Sequence, residues 1–329
     1  MRISNPDNKF IDVSGEESFR KLTLETFRFQ SENCSVYKQY LELIGCDASQ
    51  VEEVDEIPYL PIEFFKSHKV YCGKIEEKLV FNSSGTTGMV PSKHFIARPE
   101  LYEASFTSFF EMLYGNPEDY CFLALLPSYL ERGNSSLVYM MNSLIRKSRH
   151  TASGFYLDDL KGLSKKLAEL ESNGTRAMLL GVGYALLELA STFPVKLNNT
   201  ILVETGGMKG SRKELTKAEL HKKLCDAFGL KEIHSEYGMT ELLSQAWSKG
   251  DGKFLSPPWM KINIRDPYDP FSFFEHCRTG GVNVIDLANL YSCSFIESKD
   301  LGRLSNEGSF EIIGRFDHSD IRGCNLLVQ

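Results

Sequence analysis

The residues best suited to chemistry begin with a run of small side chains, Ser83-Ser84-Gly85-Thr86-Thr87-Gly88, placed after the apolar Leu79-Val80-Phe81. Glycines let successive backbone amides turn into one concavity, and hydroxyls add donors that rotate to fit, which together suit a polyphosphate. The run lacks the GxxxxGK[ST] spacing, so it is not a Walker A loop, and alone it equally describes a polar turn after a strand. Lys93, a few residues on, is either a mobile cation for the phosphates or a surface lysine. A second group is Ser235-Glu236-Tyr237-Gly238-Met239-Thr240-Glu241. A tyrosine stacks on a purine face, a threonine hydroxyl donates to a phosphate oxygen, and a glutamate holds Mg²⁺. In isolation these residues also read as a strand end opening into a helix. A third group is Asp300-Leu301-Gly302 followed by Gly314-Arg315-Phe316-Asp317. A carboxylate accepts from both hydroxyls of a ribose diol, and an arginine reaches ribose or phosphate.

These groups need a scaffold, and the hydrophobic pattern supplies one. Residues 1–60 read as helical, with a loose apolar stripe through Glu17–Phe29 and breaks at Pro58 and Pro61. Apolar runs then alternate with helical ones: Leu79–Phe81, Phe122–Leu126, Ala177–Gly181 before a helix near Tyr184–Thr192, and Ile201–Glu204 before Thr205-Gly206-Gly207 and a charged helix over Arg212–Phe228. That alternation predicts an α/β fold with parallel strands flanked by helices. After residue 250 the texture changes. Pro257, Pro258, Pro267 and Pro270 interrupt the chain, and Lys261–Ile264, Gly281–Ile285 and Phe310–Ile313 read as strands between turns. The expected organisation is an α/β body over 1–250, a smaller β-rich subdomain over 251–314 completing the site, and a hinge and tail over 315–329.

Bulk properties narrow the classes. The net charge of −7 lacks the basic footprint that nonspecific nucleic-acid binding requires. The longest apolar run, Cys121–Leu126, is too short to span a bilayer. Met1–Pro6 has no apolar stretch of the secretory kind, so cytoplasmic localisation with reduced thiols is expected. The eight cysteines show no CxxC pair and no Cys/His spacing suited to zinc.

The order and spacing of the three groups resemble the adenylate-forming (ANL) superfamily of acyl-CoA synthetases, peptide-synthetase adenylation domains and luciferases. The resemblance spans about residues 79–317. It implies that Ser83, Ser84, Thr86 and Thr87, in the loop that Gly85 and Gly88 shape, hold the β- and γ-phosphates of ATP. It implies that Gly206 and Gly207 line the adenine and acyl pocket, that Tyr237 stacks on adenine beside Gly238, that Thr240 contacts the α-phosphate, that Glu241 holds Mg²⁺, and that Asp300 and Arg315 bind ribose. The implied reaction joins a carboxylate to ATP, giving an acyl-adenylate and pyrophosphate.

Typical superfamily members continue past the hinge into a mobile lid domain with a catalytic lysine. Only twelve residues follow Asp317 here, so that lid is expected to be absent. The short form is similar to the acyl-protein synthetases of the LuxE type, which transfer the acyl group to their own cysteine and then to an acyl reductase partner. The matching cysteine is Cys324, in Asp320-Ile321-Arg322-Gly323-Cys324-Asn325, with Arg322 positioned to favour the thiolate. Leu130–Ser136 and the residues before Tyr237, including His234, are expected near the acid. Two alternatives remain: a carboxylate–CoA ligase of the phenylacetate type, and a catalytically weak nucleotide-binding partner subunit.

Overall fold

The computed structural model describes residues 6–73, 76–83, 90–127, 134–206 and 215–316. The chain opens with α1 (Glu16–Asn33) and α2 (Ser35–Leu43). A hairpin of β1 (Leu79–Asn82) and β2 (Lys93–Ile96) follows, its two strands spanning the small-residue run. Pro99 starts α3 (Pro99–Tyr114), where a missing N–H costs nothing.

The body then alternates as the apolar runs predict. It comprises β3 (Cys121–Leu125), α4 (Ser136–Lys147), α5 (Leu160–Ser172), β4 (Ala177–Val182), α6 (Gly183–Thr192), β5 (Thr200–Thr205), α7 (Lys217–Phe228) and β6 (His234–Tyr237). The strands β3, β4, β5 and β6 pair in parallel in the order given. Every residue of β3 and β4 is buried, because helices cover both faces of a parallel sheet. Capping fixes where the helices begin. Ser135 accepts from Val138 N at α4, Asp159 accepts from Gly162 N at α5, and Thr216 and Glu219 form a capping box at α7. Gly229, left-handed at φ 70°, ends α7.

The second half is antiparallel: β7 (Ala246–Ser248), β8 (Phe254–Leu255), β9 (Met260–Arg265), β10 (Gly280–Asp286), β11 (Phe295–Leu304) and β12 (Phe310–Arg315). β7 pairs with β6, and β8 links β7 to β12, so parallel and antiparallel halves are hydrogen-bonded into one sheet of 13 strands among the described residues. The mixed α/β class expected from the sequence is therefore correct. The N-terminal helices pack onto the antiparallel half. Gln30 of α1 donates to the carbonyls of Asn289 and Leu290 and accepts from Ser294 N, and Phe27 meets Phe295 edge-on at 5.9 Å. No described helix is long and apolar enough to cross a membrane.

Candidate active site

Three strands bring Tyr237, Asp300 and Arg315 together. Tyr237 closes β6, Arg315 closes β12, and Asp300 lies opposite Arg315 in the antiparallel β11–β12 register. The Tyr237 hydroxyl donates to Asp300 Oδ2 at 2.8 Å, and Arg315 Nε donates to Oδ1 at 2.7 Å. The Asp300 side chain is only 6% exposed whereas that of Arg315 is 55% exposed, so the carboxylate is enclosed and the cation faces solvent. The Tyr237 ring packs against Phe254 and Phe310 at 5.8 and 5.6 Å. Burial, and then the charge of Asp300, push its phenol well above the usual range, which keeps it a hydrogen-bond donor.

Glu241 is buried beside the start of β2. Burial raises its carboxyl above the ordinary range, while a hydrogen bond from the Ser92 side chain opposes that shift. Ser92 also donates its N–H to Ser83 Oγ at 2.8 Å and accepts from Ser83 N at 3.0 Å. One residue therefore ties the first position of the small-residue run to the glutamate of the second group. Lys93 is the exposed first residue of β2, in register with Asn82. Gly206 follows β5 at φ 74°, a conformation that suits glycine, beside Thr205. Ser84, Gly85, Thr86, Thr87, Gly88, Gly207, Arg322 and Cys324 lie outside the described residues, as does most of Leu130–Ser136.

Several residues that hold the site were not singled out by the sequence. His94 Nδ1 donates to the Thr240 carbonyl at 2.8 Å, and its Nε2 lies 3.0 Å from Asn289 Oδ1. Asn289 Nδ2 donates to the carbonyls of Glu241 and Cys293 at 2.8 and 2.9 Å. Asp286, fully buried at the end of β10, accepts from Leu243 N, Ser244 N and Ser244 Oγ at 2.7, 2.9 and 2.6 Å. The segment carrying Thr240 and Glu241 has no helix or strand hydrogen bonds of its own through this turn, and these three side chains replace them. His234, by contrast, is turned to Tyr114, whose hydroxyl lies 2.9 Å from Nδ1, and burial lowers its imidazole to about 4.

Glu236, just before Tyr237, was also passed over. Thr205 Oγ1 donates to its Oε2 at 2.5 Å, and burial, opposed by that bond and reinforced by Glu204, pushes its carboxyl up to about 7. A Cβ at Gly238 would lie 2.6 Å from Glu236 Oε1, so the small residue lets that carboxyl lie close to its Cα.

The family model described as "Acyl-protein synthetase, LuxE" matches residues 11–329. The chain belongs to the LuxE acyl-protein synthetase family. A long-chain-fatty-acid–luciferin-component ligase of Photorhabdus luminescens is 32% identical over 75 residues, which is 22% of this chain and 64% of that protein. Among solved structures, an open form of 2-hydroxyisobutyryl-CoA ligase with 2-HIB-AMP and CoA superposes with a TM-score of 0.68 at 14% identity, over 92% of this chain and 70% of the ligase. ATP-bound MatB from Rhodopseudomonas palustris gives 0.55 at 18% identity, over 74% of this chain and 49% of MatB. The chain thus spans less than two thirds of some relatives it matches. At these identities the solved structures establish the shared fold.

Proposed function

We propose that this chain activates a carboxylic acid, of fatty-acid type, with ATP and transfers the acyl group to the thiol of Cys324, for delivery to an acyl reductase. The observation that carries the reading is the convergence of Tyr237, Arg315 and Glu241 around the strand ends, with Asp300 held between the first two. In the first step a carboxylate oxygen attacks the α-phosphorus of ATP, and pyrophosphate leaves as the acyl–phosphate bond forms. In the second the thiolate attacks the acyl carbon, and AMP leaves as the thioester forms.

On this reading each residue has a part. Asp300 takes the ribose hydroxyls once Tyr237 or Arg315 gives way, and Arg315 moves with little cost because its end is in solvent. Tyr237 stacks on the adenine. Thr240 and the Ser83–Gly88 run meet the phosphates, Lys93 adds a cation, and Gly206 and Gly207 line the adenine and acyl pocket. Among the described residues no three side chains of His, Cys, Asp or Glu cluster as metal ligands. Glu241 alone would hold Mg²⁺, which fits an ion that keeps water and phosphate oxygens in most of its coordination positions. When bound, that ion neutralises phosphate charge as pyrophosphate departs.

Incubating the chain with Mg·ATP and a radiolabelled fatty acid tests the reading. The expected result is ATP–pyrophosphate exchange and a protein label released by hydroxylamine, with the label lost in Cys324→Ser and the exchange retained. Equal labelling of Cys324→Ser removes the acceptor assignment. Acid-dependent AMP release that requires coenzyme A would replace the protein acceptor by a free thiol.

A further inference from the structure

A segment that the sequence marks only by Pro58 and Pro61 brings a further cation to the nucleotide side of the site. Tyr37 of α2 donates its hydroxyl to the Pro58 carbonyl at 2.5 Å, and Leu60–Pro61 pairs in parallel with Ile296 and Glu297 of β11. Ile62 N then donates to the Glu297 carbonyl at 3.0 Å, and Phe64–Ser67 form a single helical turn. Different parts of the site hold the two sides of that turn. Phe65, fully buried, meets the ring of His94 edge-on at 5.6 Å, and His94 bonds the Thr240 carbonyl. Glu63 forms an ion pair with Lys299, the residue before Asp300. Lys66 N donates to the Glu63 carbonyl at 2.9 Å, and residues three apart on such a turn share a face. Lys66 therefore shares the face that Glu63 turns to Lys299 and Asp300.

The cations on this side are not equivalent. Arg315 is paired with Asp300, and Lys299 with Glu63. Lys69, three residues past Lys66, is held by Glu77 at 2.8 Å and lies over the rings of Tyr71 and Phe95. Lys66 is exposed, and among the described residues its ammonium has no hydrogen-bond or ion-pair partner. Its charge nevertheless reaches the enclosed Glu241: burial raises that carboxyl, and the charges of Arg315 and Lys66 are among the influences that oppose the rise. An exposed lysine is ordinary by itself. Lys66 differs because it stands uncommitted within range of the glutamate assigned to Mg²⁺, on a turn packed between the support of Thr240 and the strand of Asp300. A triphosphate that carries one Mg²⁺ is still an anion, and lysine binds phosphate as a point charge on a flexible stem.

We propose that Lys66 binds the β- and γ-phosphates of the nucleotide, and with them the pyrophosphate as it leaves. This rests on the adenylation reading above and adds to it a ligand from outside the three groups. The cation serves twice. It offsets phosphate charge when ATP binds, and it offsets the charge that builds on the oxygen bridging the α- and β-phosphorus atoms as pyrophosphate departs. AMP has only the α-phosphate, so the contact separates ATP from AMP.

The test uses the full chain and its Lys66→Met and Lys66→Arg variants, with Mg·ATP and AMP as separate probes in calorimetric titration. Lys66→Met is expected to weaken Mg·ATP by about tenfold or more, the loss of one charge-assisted contact, while AMP affinity stays within about twofold. Lys66→Arg keeps the charge and is expected to recover most of the ATP affinity. Lys69→Met removes a neighbouring cation and is expected to bind both probes as the wild type does; a loss equal to that of Lys66→Met would reduce the effect to surface charge and overturn the assignment. Urea unfolding of the same samples checks the fold, and Lys66→Gln replaces Lys66→Met if that variant unfolds. Pyrophosphate exchange with a fatty acid separates the two readings. ATP binding that depends on Lys66, without exchange for any acid, keeps the phosphate contact and removes the adenylation reading. Exchange by the wild type, with Lys66→Met binding ATP undiminished, removes the contact and keeps the adenylation reading. Equal weakening of ATP and AMP also overturns the assignment, since AMP lacks the phosphates that Lys66 is proposed to hold.

Discussion

Asp286 and Asp300 are buried carboxylates on adjacent strands, and both serve the segment that runs from Tyr237 to Gln245. They are satisfied in opposite ways. Asp286 accepts from two main-chain amides and the Ser244 hydroxyl on that segment, and from Ala288 N at 3.2 Å. Asp300 accepts from two side chains, Tyr237 and Arg315, one of them half in solvent. A main-chain donor leaves only if the chain unfolds locally, whereas a side-chain donor leaves by a rotamer change. The contrast divides the site into a part that is architecture and a part that, on the proposed function, exchanges partners with a ligand. His94 and Asn289 belong with Asp286, since both bond carbonyls of the same segment. Glu236 lies between the extremes, with one fixed partner in Thr205 and its other oxygen, Oε1, close to the Cα of Gly238.

The largest effect should come from Asp286→Ala. It leaves the amides of Leu243 and Ser244 and the Ser244 hydroxyl buried without an acceptor. At roughly 1–3 kcal/mol for each buried donor stranded, with partial relaxation, the loss should be about 3 kcal/mol. Urea unfolding measures it directly. A loss under about 1 kcal/mol would mean the segment is held elsewhere and would dissolve the distinction between the two aspartates.

Next in size is the pH dependence contributed by Glu236. Its carboxyl is raised to about 7 in the folded chain from an ordinary value of 4.5. Between those values the unfolded chain is ionised while the folded chain keeps the proton, so the folded state binds more protons. Stability from this group is therefore greatest below about pH 4.5 and falls as pH rises toward 7. Comparing the wild type with Glu236→Gln cancels most other titrations. The difference in unfolding free energy should shift by about 1–3 kcal/mol between pH 4.5 and 7.5, in favour of the variant at the higher pH. A flat difference would show that Glu236 ionises as freely as a surface carboxylate, which would place it outside the group of enclosed acids.

Much of this was legible in the sequence, and what was not shares one cause. The parallel strands announce themselves because a strand buried on both faces must be apolar throughout, as in Cys121–Leu125 and Ala177–Val182. Tyr237, Asp300 and Arg315 stand inside short runs whose order along the chain carries the family resemblance. Asp286 stands in Val284-Ile285-Asp286-Leu287-Ala288, which reads as an apolar strand with one polar interruption. Its partners, Leu243 and Ser244, are 43 and 42 residues away. His94 lies 146 residues from Thr240, and nothing local marks either as half of a pair. Glu236 lies inside the second group, but its role depends on Thr205 in the next strand and on the missing side chain of Gly238. Register between distant strands decides such contacts, and one-dimensional pattern does not encode it. The β1–β2 hairpin has a related basis: His94–Ile96 is a strand through its pairing with Leu79–Phe81 across the intervening run, not through a pattern of its own.

The smallest expected change in stability, and the sharpest test of the contrast, is Asp300→Asn. Asparagine keeps the shape and one acceptor oxygen, so either Tyr237 or Arg315 retains a partner, and the half-exposed Arg315 recovers hydration when it loses the charge opposite. Solvent screening at Arg315 discounts the ion pair, so the stability cost should be about 1 kcal/mol, well under that of Asp286→Ala. The nucleotide should feel the change more. A carboxylate accepts from both hydroxyls of a ribose at once, and an amide oxygen beside an amide nitrogen does not. Charge-assisted hydrogen bonds of this kind contribute on the order of 1.5–3 kcal/mol, which corresponds to roughly a tenfold to hundredfold loss in ATP affinity. Calorimetric titration with ATP, paired with urea unfolding of the same sample, reads both quantities. A variant that binds ATP as the wild type does but unfolds as easily as Asp286→Ala would make Asp300 a second piece of architecture. The ribose would then have to be held by other groups of the site.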